Sequence, residues 1–346
     1  MLQKTRLYNN YDFLRVFAAI CITFTHSFNL LKQDKREVLM TVSNQRLDFA
    51  FLGLCIFFSI SGYLIAKSAD TSPSFKSYLW KRFLRIQPLL IFVCILSIFI
   101  VGPIFTSLSL RSYFNNINSY TYFRNIMPLF GIQFQLPNVF SNNIGEAGIN
   151  GSLWTLIVEE RLYLIVGMLF LLKRKKQNLF VYFVAILNFV YLLHHSFFNS
   201  NLINYLNGGH VFYALMFLNA SCFYILKIAF IKQSNVYLFS IIIIALLFFT
   251  RYFSFNQSIQ VLLIPFLINA IAHIKAPTNH IGKYGDFTYG IYIFSFPVQQ
   301  MLIASKTLNE NPYELFFFTL MIVIPIAVLS WHFIEKKMLS LKWRVI

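Results

Sequence analysis

Acidic residues are scarce in this chain. Asp and Glu together number 12 among 346 residues, against 29 Lys and Arg, and all charged side chains make up only 12% of the total. A soluble domain carries roughly a quarter charged residues, so water is not the main solvent of this chain. Cysteine is rare as well. Cys21, Cys55, Cys94 and Cys222 each lie inside an apolar stretch and never at metal-ligand spacing, which excludes a zinc module or a disulfide scaffold and leaves free, buried thiols. The 13 glycines form no Walker-type phosphate loop, no internal repeat is visible, and no interrupted helices recur in matching halves, so the usual transporter signatures are missing. No small-residue cleavage pattern follows the first hydrophobic segment, where Thr25, His26 and Ser27 run on into Phe28, Asn29 and Leu30; that segment is expected to stay in the mature protein. The formal charge of +17 is not a nucleic-acid signature either, because the basic residues punctuate hydrophobic runs instead of gathering on one water-facing surface.

Hydrophobic residues are abundant, at 58%, and 41 Phe and 19 Tyr suit a protein that meets lipid tails and headgroups on many sides. Stretches of roughly twenty apolar residues fall near 11–31, 46–66, 86–106, 152–172, 178–198, 209–231, 236–254, 257–274, 283–305 and 313–335. They predict an all-α, polytopic transmembrane bundle of about ten helices, forming a single domain over 1–346. With both termini in the cytoplasm, nineteen Lys and Arg face inward and eight outward, while Arg15 and Arg161 fall within spans. That asymmetry predicts an N-in, C-in topology by the positive-inside rule. The longest linker, about 107–150, is rich in Asn, Tyr and Pro and is expected outside.

Ionisable residues inside a span are costly, so each is a functional candidate. Arg15 and His26 stand eleven residues apart in the first span. At about 100° and 1.5 Å per residue, they share one helix face and are separated by roughly 16 Å, the arginine towards the cytoplasm and the histidine in the outer half. A packing role for His26, and a local pair between Arg15 and Asp12, compete with a functional reading. In the fourth span, Glu159, Glu160 and Arg161 interrupt an apolar run that begins at Gly151. Glu159 is expected about 12 Å below the outer surface, at the depth of His26. A carboxylate beside an imidazole fixes the ring tautomer and raises its basicity, the arrangement needed to take a proton from a hydroxyl. An internal Glu–Arg cluster for helix packing is the competing explanation. Ser59, Ser61, Gly62 and Tyr63 in the second span either admit close helix packing or let a ligand approach the backbone. Arg82 and Arg85, one turn apart near the start of the third span, can face one anionic ligand together, although positive-inside charge also accounts for them.

Taken in order, these runs resemble the acyltransferase-3 family of membrane proteins that modify bacterial surface sugars. The similarity covers Arg15-x10-His26, Ser61-Gly62-Tyr63-Leu64, Arg82-x-x-Arg85-Ile86-x-Pro88, and Trp154-Thr155-Leu156-x-x-Glu159-Glu160-x-x-Tyr163. The closing motifs are similar to Tyr289–Phe294 before Phe296-Pro297, and to Phe333-Ile334-Glu335-Lys336. Ser295 stands where many relatives carry a histidine, and Lys337 where proline follows. The resemblance implies an O-acyltransferase of the bacterial cytoplasmic (inner) membrane. It implies acyl-CoA, most often acetyl-CoA, as the cytoplasmic donor, no metal, no nucleic acid, and an extracytoplasmic carbohydrate hydroxyl as acceptor. On that reading His26 is general base or transient acyl carrier, and Glu159 orients it or shuttles its proton. Arg82, Arg85 and Arg15 receive the donor phosphates, and Ser61, Tyr63, Trp154, Glu160 and Tyr163 support the site. The rival readings are a proton-coupled transporter or flippase of a lipid-linked sugar, and a non-catalytic membrane sensor or scaffold.

Overall fold

The computed structural model describes residues 10–170, 172, 176–197, 208–228, 256–283, 285–306 and 308–343. Among them the structure is all-helical, with a lone antiparallel bridge between Thr106 and Val139. The long helices are α1 (Tyr11–Asn29), α2 (Phe49–Asp70), α3 (Phe75–Leu96), α4 (Trp154–Gly167), α5 (Asn178–Phe197), α6 (Gly208–Ile225), α7 (Asn256–Ala272), α8 (Thr288–Ala304) and α9 (Pro312–Ser330). Three helical stretches, Phe49–Asp70, Phe75–Phe105 and Pro312–Lys342, are long and apolar enough to cross a membrane, and Asn178–His194, Gly209–Ile225 and Gln257–Ala272 are shorter apolar helices. The predicted span at 236–254 lies outside the described residues. All four cysteines are buried and none forms a disulfide.

The third span begins earlier than its hydropathy suggests. Lys76, Lys81, Arg82 and Arg85 depress the apolar signal before residue 86, yet the helix already starts at Phe75. Arg82 and Arg85 therefore stand on the second and third turns of α3 instead of at its entry. A π-helical turn at Ser97–Val101 prolongs α3, and the Tyr113 hydroxyl donates to its Ile98 carbonyl at 2.9 Å. The 107–150 linker is correspondingly structured. Short helices at Leu110–Asn115 and Ile117–Thr121 begin at Ser109 and Asn116, whose side chains accept from the first-turn amides.

The chain divides into two compact units, one of Met1–Arg15, Leu54–Phe75 and Leu162–Tyr284, the other of Val16–Gly53, Lys76–Arg161 and Gly285–Ile346. In the first, α6 packs on α7 and α5 through amide side chains. Asn188 and Asn219 exchange bonds of 2.8 and 3.0 Å, and Asn219 donates to the Val261 carbonyl at 2.8 Å. Gly62 rests against the α6 backbone, where a Cβ would collide with the Phe217 carbonyl, and Ser221 donates to the Gly62 carbonyl at 2.9 Å. That is the close-packing reading of the Ser61-Gly62-Tyr63 run.

In the second unit α8 is the central helix, with Thr288 through Gln300 all buried. A helix apolar on every side belongs in a core. Its Gly290 meets α9 so closely that a Cβ would touch the Ala327 Cβ and the Ser330 hydroxyl. By contrast α9 leaves Phe317, Met321 and Ile324 exposed, large apolar side chains suited to lipid.

Candidate active site

Because α8 is buried along most of its length, its successive turns record what lies at each level of the second unit. Just before the helix, Asp286 accepts from Arg85 Nη2 at 2.7 Å. On the first turn Tyr289 donates to the Ile86 carbonyl at 3.1 Å. One turn on, the Tyr292 hydroxyl donates to the Ser152 carbonyl at 2.8 Å and lies 2.6 Å from Thr155 Oγ1. Then Ser295 meets Thr23 at 2.9 Å, and Phe296 meets the His26 ring edge-on at 5.3 Å between centroids. Beyond these, Gln299 donates to the Thr23 carbonyl at 2.9 Å and to Ser27 Oγ at 2.7 Å. At 1.5 Å per residue, the step from Thr288, at the start of α8, to Phe296 covers about 12 Å.

His26 is half-buried, and among the described residues its ring makes no hydrogen bond. Its neighbours are pinned instead. Thr25 Oγ1 accepts from the Ala50 amide at 2.8 Å, Thr23 is tied to Ser295, and Ser27 to Gln299, so the imidazole is held in place by the backbone around it. Ser295 is thus a fastening between α8 and the helix that carries His26.

Glu159 and Glu160 point to different tasks. Glu159 is half-buried and lies within electrostatic reach of Tyr78, Tyr289 and Tyr292. Among the described residues no hydrogen bond joins it to His26. Along α8, Tyr289 and Tyr292 fall within electrostatic reach of Glu159, and Phe296, a turn beyond Tyr292, meets His26. Glu160 is buried and fully used: Oε1 accepts from Gln87 at 2.6 Å and Oε2 from the Leu129 amide at 2.7 Å. It ties α4 to α3 and to the Pro128–Phe130 turn, a structural task. Arg161 is exposed and pairs with neither acid among the described residues, so the internal Glu–Arg cluster does not form. The start of α4 is set by Asn150, which accepts from the Ser152 amide at 3.1 Å and donates to the Ile293 carbonyl at 2.9 Å.

Arg85 is held on two sides, by Asp286 and by Glu335 Oε2 at 3.5 Å from Nη1. A π-helical turn, Trp331–Glu335, delivers that glutamate, and Ser330 donates to its other oxygen at 3.2 Å. Arg82, a turn earlier on α3, is half-buried, as is Trp154 at the head of α4. Arg15, Ser61, Tyr63 and Tyr163 belong to the first unit. There Tyr63 stacks on Tyr11 at 6.0 Å and meets His273 edge-on at 5.7 Å, while Tyr11 donates to Asn269 Oδ1 at 3.1 Å. Asp286 and Gln299 escaped the sequence reading, since a loop acid and a lone glutamine carry no local signal.

An all-helical chain with apolar helices long enough to cross a bilayer, and with imidazole, carboxylate and guanidinium groups among them, has the make-up of an integral-membrane enzyme. Residues 8–332 match the acyltransferase domain of the acyltransferase-3 family, and the chain belongs to that family. It is an acyltransferase. An O-acetyl transferase of Shigella phage Sf6 is 31% identical over 338 residues, 96% of each chain. Nodulation protein 10 of Rhizobium leguminosarum bv. viciae is 26% identical over 354 residues, covering 96% of this chain and 94% of that one. No solved structure matches the chain.

Proposed function

We propose that this protein moves an acetyl group from cytoplasmic acetyl-CoA to a hydroxyl of an extracytoplasmic polysaccharide or other surface glycan. It does so from within a bacterial cytoplasmic membrane that it crosses about ten times, with both termini inside. The observation that carries this reading is the order of groups along α8: guanidinium just before its start, Glu159 within electrostatic reach of its first two turns, and the His26 imidazole against Phe296, about 12 Å along the helix. A thioester donor is anionic at its nucleotide end and reactive at the far end of a slender arm. It therefore needs cations and a proton acceptor separated by about the length of that arm. The name of the Sf6 relative, an O-acetyl transferase, supports acetyl as the group and oxygen as its destination.

On this reading the donor phosphates lie at the Arg82 and Arg85 end, and the thioester reaches His26. A His26 ring nitrogen takes the acceptor hydroxyl proton as the oxygen attacks the thioester carbonyl. The carbon–sulfur bond then breaks, and the imidazolium returns the proton to the departing thiolate. Glu159 is the carboxylate assigned to orient the ring or to shuttle its proton. The test is release of CoA thiol by purified protein with acetyl-CoA and an acceptor glycan. His26→Ala is expected to lower turnover by about 10²- to 10⁴-fold, the usual share of a general base, with unchanged membrane abundance and melting temperature. Turnover equal to wild type would return His26 to a packing role.

A further inference from the structure

Trp80 stacks on Phe83 near the start of α3, with ring centroids 5.5 Å apart and planes 6° from parallel. Its indole N–H donates to the Leu341 carbonyl at 3.4 Å, which fastens the C-terminal turn Ser340–Trp343 to the start of that helix. The next residue is Lys342. It falls within electrostatic reach of Lys81, Arg82 and Arg85, and of the Asp286 carboxylate. Four cations thus converge at one end of the second unit, from two segments far apart in sequence. Like charges gathered in a partly desolvated place repel, and an anion relieves that repulsion.

Arg85 is held by two carboxylates. Asp286 at 2.7 Å and Glu335 at 3.5 Å take up its two terminal nitrogens, so its fork is engaged by the protein itself. The half-buried Lys342 sits on a short terminal turn and carries a compact charge with three rotatable donors, which suits a phosphate oxygen.

We propose that Lys342 is a phosphate ligand for the donor, acting with Arg82, and that Asp286 and Glu335 make Arg85 a positioning residue that fixes the edge of this site. The proposal rests on the acyl-CoA reading above and names the part of the protein that grips the nucleotide end. Lys342→Gln removes one charge-assisted contact, and the expected result is acetyl-CoA affinity weaker by roughly 10-fold. Lys342→Arg keeps the charge and restores most of the affinity. Turnover of acetyl-pantetheine, which has no nucleotide phosphates, is unchanged in both. Asp286→Asn loosens Arg85, so the KM for acetyl-CoA rises while kcat and the acceptor KM stay put, and Asp286→Glu recovers it. Combining Asp286→Asn with Arg85→Lys costs less than the sum of the two, because both act on one pair.

The measurement is direct binding and steady-state kinetics on the full chain in a zwitterionic detergent, with CoA, 3′-dephospho-CoA and acetyl-pantetheine as probes. The dephospho compound shows which phosphate Lys342 serves, since the Lys342→Gln loss disappears with it only if that is the 3′-phosphate. Wild-type affinity in Lys342→Gln overturns the proposal, as does an equal loss with acetyl-pantetheine. An effect seen only in bilayers containing anionic lipid also overturns it and makes Lys342 a headgroup contact. Absence of acetyl-CoA binding by the wild type overturns the acyl-CoA reading itself, a separate and distinguishable failure.

Discussion

Glu37 lies between the first two long helices with its side chain fully buried, and its Oε1 accepts from the Phe49 amide at 2.7 Å, satisfying a donor at the start of α2. Burial pushes this carboxyl above the ordinary carboxylate range, and the bond from the Phe49 amide offsets that only in part. A raised value in the fold means that folding favours the protonated form. The stability it contributes is therefore fully present below the ordinary value near about 4.3, and is lost as pH rises through the raised one. Glu37→Gln keeps the acceptor and removes the titration. Wild type is expected to lose thermal stability relative to this variant as pH climbs from about 4, and parallel melting curves across that range would show that burial is not shifting Glu37. Glu160 gives a second residue-scale prediction. Glu160→Ala orphans the Gln87 amide and the Leu129 N–H, at about 1–3 kcal/mol each. Glu160→Gln is tolerated better, because the buried Gln87 Oε1, which has no hydrogen-bond partner among the described residues, can turn to accept from the new amide. Melting temperatures of the two variants check the order. Glu160 was legible in the sequence because an acid in an apolar run is conspicuous. Glu37, Asp286 and Lys342 were not, because charge in loops and at chain ends is ordinary and only tertiary pairing sets these three apart.

At the level of helices, the sign of one substitution measures how closely α2 and α6 approach. In an unencumbered helix interior Gly→Ala gains about 1 kcal/mol of propensity. At Gly62 the new Cβ would fall on the Phe217 carbonyl, with the Phe217 Cα 2.9 Å away, and overpacking of that kind costs about 1–3 kcal/mol. Backbone atoms cannot step aside as a flexible side chain can, so the cost wins and Gly62→Ala is expected to melt lower than wild type. A higher melting temperature would mean that the two helices can part without penalty. The same contact shows where hydropathy stops being informative. Lipid and protein interior are both apolar, so a helix buried on all sides reads like one facing lipid. Nothing in the apolar run around 283–305 marked α8 as the core of its unit, or α9 as the helix with Phe317 and Met321 exposed. Motif order brought His26, Glu159 and Arg85 to notice. Their arrangement along α8 depends on side-chain bonds from Tyr289, Tyr292, Ser295 and Gln299, which no periodicity encodes.

Across the whole molecule, the proposed chemistry requires donor and acceptor on opposite faces of the membrane, and α8 offers two markers for those faces. Near its start the C-terminal turn is tied to α3 through Trp80 and Leu341, where Asp286 holds Arg85. Near its other end Gln300 donates to the Glu146 and Gly148 carbonyls at 2.6 and 2.7 Å, and Asn143 donates to the Gln300 side chain at 2.8 Å. The 107–150 segment is thus attached to one end of a 17-residue helix, about 25 Å long and comparable with the hydrocarbon thickness of a bilayer, while the C-terminal turn is bonded to α3, whose Arg85 is held by Asp286 just before the other end. Nineteen basic residues on the expected inner side against eight outside predict the direction by the positive-inside rule. Ser141 and Ser340 are both exposed and lie at the two ends. With Cys21, Cys55, Cys94 and Cys222 replaced, Ser141→Cys is expected to react with a membrane-impermeant maleimide in intact cells. Ser340→Cys is expected to react only after permeabilisation. The reverse pattern would keep the separation and invert the protein, placing the Arg82 and Lys342 end outside, where no cytoplasmic acyl-CoA can reach it. Labelling of both from outside would put the two ends of α8 on one face, and the route from donor to acceptor along that helix would fail with it.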